Sequence, residues 1–337
     1  MPETMSRLMV EVAILQAQKD LRRQFNRRVL RNAIEHGVRY SGNTHSRMVY
    51  RLVQEMLRSD DHPYYELCRG AARQVDERYM RSFGVNLGYE NWYLGTAALR
   101  NNMRRLGCCL PWAISVRLSD ADTRMEEEQA LALLERFYAL GTRCFLLRED
   151  EARAALLKTL CAAYADCAFT LDVPDAAVTE SWLRTLGTAD NALVIPRCPD
   201  GQCASGGLLA ADHRLRTMLR PYTADWAEEL VRGHRTLKEE AAGSLVLFLQ
   251  PEESCPQTVR DAFAEWLMEK KIHPDCALFP VDLETDIRAI SGVVAGRPIL
   301  VAVSPDGSMT VNGTPCPADA PMPETLRKLC PCSIVPE

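Results

Sequence analysis

Apolar positions change their spacing twice between Ala113 and Leu147, and that change predicts the unit around which the chain is built. Ala113–Leu118 is a short apolar run with β-branched residues, closed by the polar turn Ser119-Asp120-Ala121-Asp122. Met125–Leu140 then places Leu131, Leu134, Phe137, Tyr138 and Leu140 close to the spacing of one helical face, with Gly141 positioned to end the helix. Cys144–Leu147 is a second run with the character of a buried strand. Strand, helix and strand with short connections predict a βαβ unit, from which parallel sheets and barrels are made.

The alternation continues downstream. Helices are predicted over Ala152–Tyr164 and Asp175–Leu186, the latter with Trp182 and Leu183 inside, and strands over Cys167–Val173 and Asn191–Ile195. Further helices are predicted over Leu208–Leu219, Ala224–Glu239 and Pro256–Lys271, with strands Ser244–Leu249 and Cys276–Phe279. Arg297–Val303 and Met309–Val311 flank Pro305-Asp306-Gly307, an Asp-Gly turn between alternating runs that predicts a hairpin. The tail Pro317–Glu337 is proline-rich around a short helix at Glu324–Leu329.

Upstream, residues 1–107 read as helical and basic. Leu21–Asn32 sets Arg22, Arg23, Arg27, Arg28 and Arg31 around Leu21, Phe25, Val29 and Leu30, a solvated basic face on an amphipathic helix. Few aromatics interleave the arginines, which argues against a nucleic-acid surface. A second helix, His45–Arg58, buries Met48, Leu52, Val53, Met56 and Leu57 and stops at Ser59-Asp60-Asp61-His62-Pro63, where proline cannot continue it.

Three stretches carry a resemblance. His62-Pro63-Tyr64-Tyr65, then Gly84-Val85-Asn86-Leu87-Gly88-Tyr89, occur in the order found in the N-terminal helical extension of one clostridial-type branch of radical S-adenosylmethionine (radical SAM) proteins. Pro111-Trp112-Ala113-Ile114 through Phe145-Leu146-Leu147 resembles the first βα unit of that family. Ile287–Gly296 with the following hairpin resembles its C-terminal end. The resemblance implies a partial parallel (β/α)6-type TIM barrel, an iron–sulfur cluster held by CxxxCxxC after the first strand, and a Gly-Gly-Glu-Pro segment after the second. This chain departs at each chemical position. Its first loop reads Ser119-Asp120-Ala121-Asp122-Thr123-Arg124, its second strand runs into Arg148-Glu149-Asp150-Glu151, and after Ile195 only the Asp200-Gly201 pair remains. Near the end, Ser291-Gly292-Val293 stands where the family has Gly-Gly-Cys, although Cys316 follows Thr314-Pro315. In the family, His62, Tyr64, Tyr65, Asn86, Tyr89 and Trp92 fall in the extension, where aromatics either staple it to the barrel or bind a ligand.

Composition narrows the classes. Hydrophobic content of 47% and charged content of 25% are those of an ordinary globular chain. A net charge of −5 offers no global attraction to nucleic acid. No apolar run approaches the ~20 residues that span a bilayer, and no secretory signal is read before the first helix. The expectation is a cytoplasmic protein with neither membrane nor nucleic-acid partner. Thirteen cysteines, an odd number, read as thiols or metal ligands and not as a disulfide frame.

Among those thiols, Cys198 and Cys203 share a turn-rich loop, Cys330-Pro331-Cys332 lies near the chain end, and Cys316 follows the hairpin. Together they are candidate ligands for zinc or an iron–sulfur cluster, without the C-x2-C spacing of a zinc knuckle. That weak spacing favours ordinary thiols over a metal site. Cys108-Cys109 are adjacent and ill-suited to chelate one ion together; Cys144, Cys161, Cys167 and Cys276 sit in apolar runs as small hydrophobes. The six histidines form no HxH or HExxH, and neither a G-x-S-x-G elbow nor a Walker loop occurs. Asp120, Asp122, Glu126, Glu127 and Glu128 cluster at a strand's carboxyl end, where barrels place chemistry, but an Asp N-cap and acidic first turn explain them.

The expectation is an α/β protein with a helical extension over 1–107, a radical-SAM-like partial barrel over 108–303 and a hairpin and Cys/Pro-rich tail over 304–337. Its expected role is that of a catalytically silent homologue that binds a peptide or an active radical SAM paralogue, with no catalytic residue and no cofactor. The alternative is an enzyme holding a cluster or zinc through its late cysteines; S-adenosylmethionine binding without a cluster is a third reading.

Overall fold

The computed structural model describes residues 3–23, 27–40, 51, 53–316 and 322–332. The first helices are α1 (Glu3–Arg23), α2 (Arg27–Tyr40), α3 (Tyr64–Gln74) and α4 (Glu77–Val85). A π-helix, Asn86–Gly95, runs directly into α5 (Thr96–Leu106). Then strand and helix alternate: β1 (Ala113–Arg117), α6 (Glu127–Leu140), β2 (Cys144–Arg148), α7 (Ala154–Ala163), β3 (Ala168–Pro174), α8 (Glu180–Leu186), β4 (Ala192–Arg197) and α9 (Gly206–Ala211). Next come β5 (Thr217–Tyr222), α10 (Ala224–Val231), α11 (Leu237–Glu240), β6 (Val246–Pro251), α12 (Gln257–Ile272), β7 (Phe279–Asp282) and α13 (Leu283–Ala295). Strands β8 (Val301–Val303), β9 (Met309–Val311) and β10 (Thr314–Pro315) precede α14 (Met322–Leu329).

Strands β1 to β7 follow one another in chain order across the sheet, with β8, β9 and β10 continuing it beyond β1. β1 pairs in parallel with both β2 and β8, while β8 and β9 form the antiparallel hairpin that the Asp-Gly turn predicts. The order ends at β10 and β7, so the fold is α/β with a parallel sheet that is not closed. Among the described residues, no helix is long and apolar enough to cross a membrane.

The chain divides into two compact units, each built from two segments. The first comprises Met1–Arg81 and Ile195–Leu283; the second comprises Ser82–Val194 and Glu284–Glu337. In the first, Met218, Tyr222, Trp226, Leu247, Leu249 and Phe263 form one buried cluster. Gln18 Nε2 donates to the Val75 carbonyl at 2.9 Å, and Tyr64 Oη donates to the Lys271 carbonyl at 2.9 Å. In the second, β1 and β2 bury Ile114, Val116, Phe145 and Leu147, against which α6 sets Ala130, Leu134 and Phe137. Gly141 takes the left-handed conformation that ends α6, with φ of 105°.

Several predicted elements need correction. The helix expected over Leu208–Leu219 is instead α9, a turn at His213 with φ of 54°, and then strand β5. Thr217, Met218 and Leu219 are buried in succession, as on a central strand covered on both faces, and such a run carries no alternation to reveal it. Ala224–Glu239 divides into α10 and α11, because Gly233 adopts φ of 77° and Thr236 caps a fresh helix. Asp175–Leu186 divides into a 3-10 turn and α8, where Thr179 Oγ1 accepts the Trp182 amide at 3.2 Å. The basic stretch Leu21–Asn32 is shared by the end of α1 and the start of α2. Phe25, most of the helix expected over His45–Arg58 and the tail beyond Cys332 lie outside the described residues.

Burial gives the second unit an alkaline limit. Burial pushes the Cys144 thiol up to about 12 and raises Cys167 further, with Asp166 adding to the latter. Both groups hold their protons more tightly when folded than the ~8.5 of a free thiol allows. Their contribution is therefore complete below about pH 8.5 and is lost as pH rises above it, since only the unfolded chain then ionises. Unfolding midpoints in urea are expected to fall steadily above that pH, and Cys167→Ala is expected to flatten the fall.

Candidate functional site

In the second unit, the carboxyl ends of β1 and β2 are joined by one hydrogen-bonded knot. Ser119, fully buried, follows β1 and donates its hydroxyl to Glu149 Oε1. The same oxygen of Ser119 accepts the amides of Asp150 at 2.9 Å and Glu151 at 3.1 Å. Glu149, also fully buried, takes the Glu151 amide on Oε1 at 3.0 Å. Its Oε2 takes Arg153 Nε at 3.0 Å and Nη2 at 2.8 Å. Two further donors of Arg153 go to the carbonyls of Met125 at 3.0 Å and Leu118 at 3.1 Å.

Saturation decides what this knot can do. Each oxygen of Glu149 accepts two hydrogen bonds, and the Ser119 hydroxyl donates once and accepts twice. Neither group has capacity left to act as base, nucleophile or ligand without breaking the knot. The loop after β1 is closed likewise: Ser119 and Arg124 form an antiparallel bridge, and Asp120 Oδ1 accepts the amides of Asp122 at 3.1 Å and Thr123 at 2.8 Å. The acidic cluster is explained by local structure, although the N-cap of α6 is Glu126 and not an aspartate. Gln129 returns its side-chain oxygen to the Glu126 amide at 3.0 Å. An iron–sulfur cluster does not fit here, because Ser119–Arg124 holds no thiol, and Ser119 Oγ and Asp120 Oδ1 are committed to the turn.

At the amino end of β1 the backbone of the same unit bridges to the segment Cys330-Pro331-Cys332. The Cys109 amide donates to the Cys330 carbonyl at 2.9 Å and the Cys332 amide to the Gly107 carbonyl at 3.2 Å, which pairs Cys108 with Pro331. The Cys109 thiol donates to the Ala295 carbonyl at 3.6 Å, and Cys332 and Cys330 act on it electrostatically. Burial and these two neighbours push the Cys109 thiol up to about 12. Cys316 raises Cys330 in turn, after burial, and Arg297 opposes the shift at both Cys109 and Cys330. Of the candidate ligands named from the sequence, Cys316, Cys330 and Cys332 belong to this unit, but among the described residues their sulfurs do not gather within 4.8 Å as a ligand group. Cys198 and Cys203 belong to the first unit, where their sulfurs lie within 4.8 Å of one another.

The aromatic candidates divide between the units in the same way. In the first, the Tyr64 amide donates to His62 Nδ1 at 3.3 Å, and Tyr65 Oη donates to the Leu57 carbonyl at 2.7 Å while accepting Arg31 Nε at 2.8 Å. In the second, Asn86 Nδ2 donates to the carbonyls of Ala165 at 2.7 Å and Cys167 at 2.8 Å. Tyr89 stacks on Tyr93 with centroids 5.6 Å apart, and Trp92 meets Trp112 edge-on at 5.9 Å.

Sequence reasoning missed two arrangements in the first unit. Tyr222, the last residue of β5, donates its hydroxyl to Asp282 Oδ2 at 2.9 Å at the end of β7, both side chains being buried. Burial and the Asp282 carboxylate raise the Tyr222 phenol far above its usual range. Beside it, Glu240 binds Arg220 Nη1 at 2.8 Å, Arg235 Nη1 at 3.0 Å and Trp226 Nε1 at 3.1 Å. These groups come from β5, α10, α11, β7 and the turn before α11, so no local spacing announces them. Compared with known proteins, the chain matches no family model and no curated sequence.

Proposed function

We propose that this chain is a radical-SAM-like partial (β/α) barrel that performs no radical chemistry and serves as a binding or regulatory partner. The partner in this reading is a peptide or an active radical SAM paralogue. The observation that supports it is the saturated knot of Ser119, Glu149 and Arg153 at the strand ends where the resemblance expects a cluster and cofactor. A hydroxyl, a carboxylate and a guanidinium that satisfy one another stabilise a loop but leave nothing to reduce or cleave a ligand.

The test is anaerobic purification, reconstitution with iron and sulfide, and incubation with S-adenosylmethionine and a strong reductant. The expected result is no 5′-deoxyadenosine, and no heat when S-adenosylmethionine is titrated alone. Cleavage product formed in proportion to protein would overturn the reading. A complex with a paralogue that retains the CxxxCxxC loop, seen as co-elution of the two purified proteins, is its positive arm.

A further inference from the structure

We propose that Cys198 and Cys203 form a reversible intramolecular disulfide, a modification site whose oxidant is a small aliphatic disulfide of the glutathione class. The loop after β4 builds it. Pro199 and Asp200 stand at the corner of a turn that the Gly201 amide closes on the Cys198 carbonyl at 3.1 Å. Asp200 Oδ1 then accepts the Gln202 amide at 3.0 Å, and Gly201 takes φ of 78°, a conformation rarely adopted by a residue with a side chain. An added Cβ at Gly201 would collide with Arg220 Nη1, so Arg220 of β5 packs directly on the turn. Together these contacts reverse the chain between the two cysteines and set their sulfurs within 4.8 Å of one another.

Burial gives the two thiols different roles. Cys198 is buried in the cluster of Met218, Tyr222 and Trp226, while Cys203 packs against that cluster and is only partly buried. Gln202 and Ala204, on either side of Cys203, are exposed. Cys203 is therefore the thiol that a dissolved disulfide reaches first, and Cys198 the one that resolves the adduct. The Cys198 thiol donates to the Pro196 carbonyl at 3.4 Å, and Cys203 Sγ lies 3.9 Å from both Ser205 Oγ and the Thr217 carbonyl. Thiol hydrogen bonds are weak, so rotation about χ1 can exchange them for an S–S bond of ~2.05 Å. In the first step Cys203 gives its proton to solvent and attacks one sulfur of glutathione disulfide. The Cys203–glutathione bond forms, the glutathione S–S bond breaks, and the departing thiolate takes up a proton. Cys198, deprotonated in turn, attacks the Cys203 sulfur and expels the second glutathione. Two protein thiols are thereby oxidised by two electrons, and one glutathione disulfide is reduced to two thiols. The ring so closed fixes the loop at the carboxyl end of β4.

Trypsin supplies a clean readout, because it releases both cysteines in one peptide, Cys198–Arg214, that contains no other cysteine. The reduced full-length protein is equilibrated with mixtures of reduced and oxidised glutathione, quenched in acid, alkylated in denaturant and digested. The expected peptide carries no alkyl group and is lighter by two hydrogens than its reduced form. It should persist to a reduced-to-oxidised glutathione ratio about tenfold above the one that opens it when the same protein is equilibrated in denaturant. In Cys198→Ser the reaction should stop at a glutathione adduct on Cys203, and in Cys203→Ser the Cys198 thiol should stay unmodified, with circular dichroism verifying each fold. Two alkylated cysteines in a large excess of oxidised glutathione would overturn the proposal. So would a disulfide no more stable in the folded chain than in denaturant, or a glutathione adduct that persists on Cys203 of the wild type. Glutathione on Cys198 of Cys203→Ser would overturn the order of attack.

Discussion

Replacing Arg153 by alanine is expected to destabilise the fold by about 3–5 kcal/mol, the cost of leaving a buried carboxylate without its counter-charge. Glu149 is fully buried and has two of its four hydrogen bonds from Arg153. The same substitution frees the Leu118 and Met125 carbonyls, which hold the loop after β1 against β2. Urea unfolding measures the loss. Adding Glu149→Gln to Arg153→Ala should recover part of it, because the neutral amide removes the stranded charge while keeping its shape. A loss below about 1 kcal/mol for Arg153→Ala would place the pair in the class of exposed ion pairs and refute the knot.

Gly141→Ala is the second large effect. The new Cβ would lie 2.7 Å from the Leu99 backbone nitrogen, and the position has φ of 105°. The left-handed backbone alone costs about 1–2 kcal/mol for a residue with a side chain. Overpacking against a backbone atom that cannot swing away adds about 1–3 kcal/mol. Gly107 supplies the control, because it ends α5 with φ of 67° and nothing lies within 4 Å of its added Cβ. Gly107→Ala should show the first cost without the second, so its thermal midpoint should fall clearly less. Equal losses at both positions would show that the close approach of α5 to Gly141 contributes nothing.

These two sites also separate what periodicity conveys from what it hides. The helix ending at Gly141 was legible because one apolar face closes on a glycine, and the helix and both its strands lie within a residue or two of where the pattern puts them. The close approach at Leu99 was not, because it depends on how α5 meets the end of α6. Strand β5 escaped for a related reason. Leu208, Leu209, Leu215, Met218 and Leu219 mimic a helical face, and only the turn at His213 and burial on both sides make the second half a strand. The backbone bridge between Cys108 and Pro331 was hidden as well, because it joins segments at opposite ends of the second unit's sequence.

By itself, the sequence determined the βαβ alternation, the hairpin at Asp306-Gly307 and the lack of any thiol in Ser119–Arg124, all of which are local properties of composition and period. Tertiary structure alone decided that the sheet stays open, that Ser119 reaches Glu149 from the next strand, and that the Cys109 backbone meets that of Cys330. The physical reason is common to the three. Hydrophobic period fixes which face of an element turns inward, but partners in a sheet, the Ser119 hydroxyl on Glu149 and the backbone bridge from Cys109 to Cys330 are chosen by contacts between segments far apart in the chain.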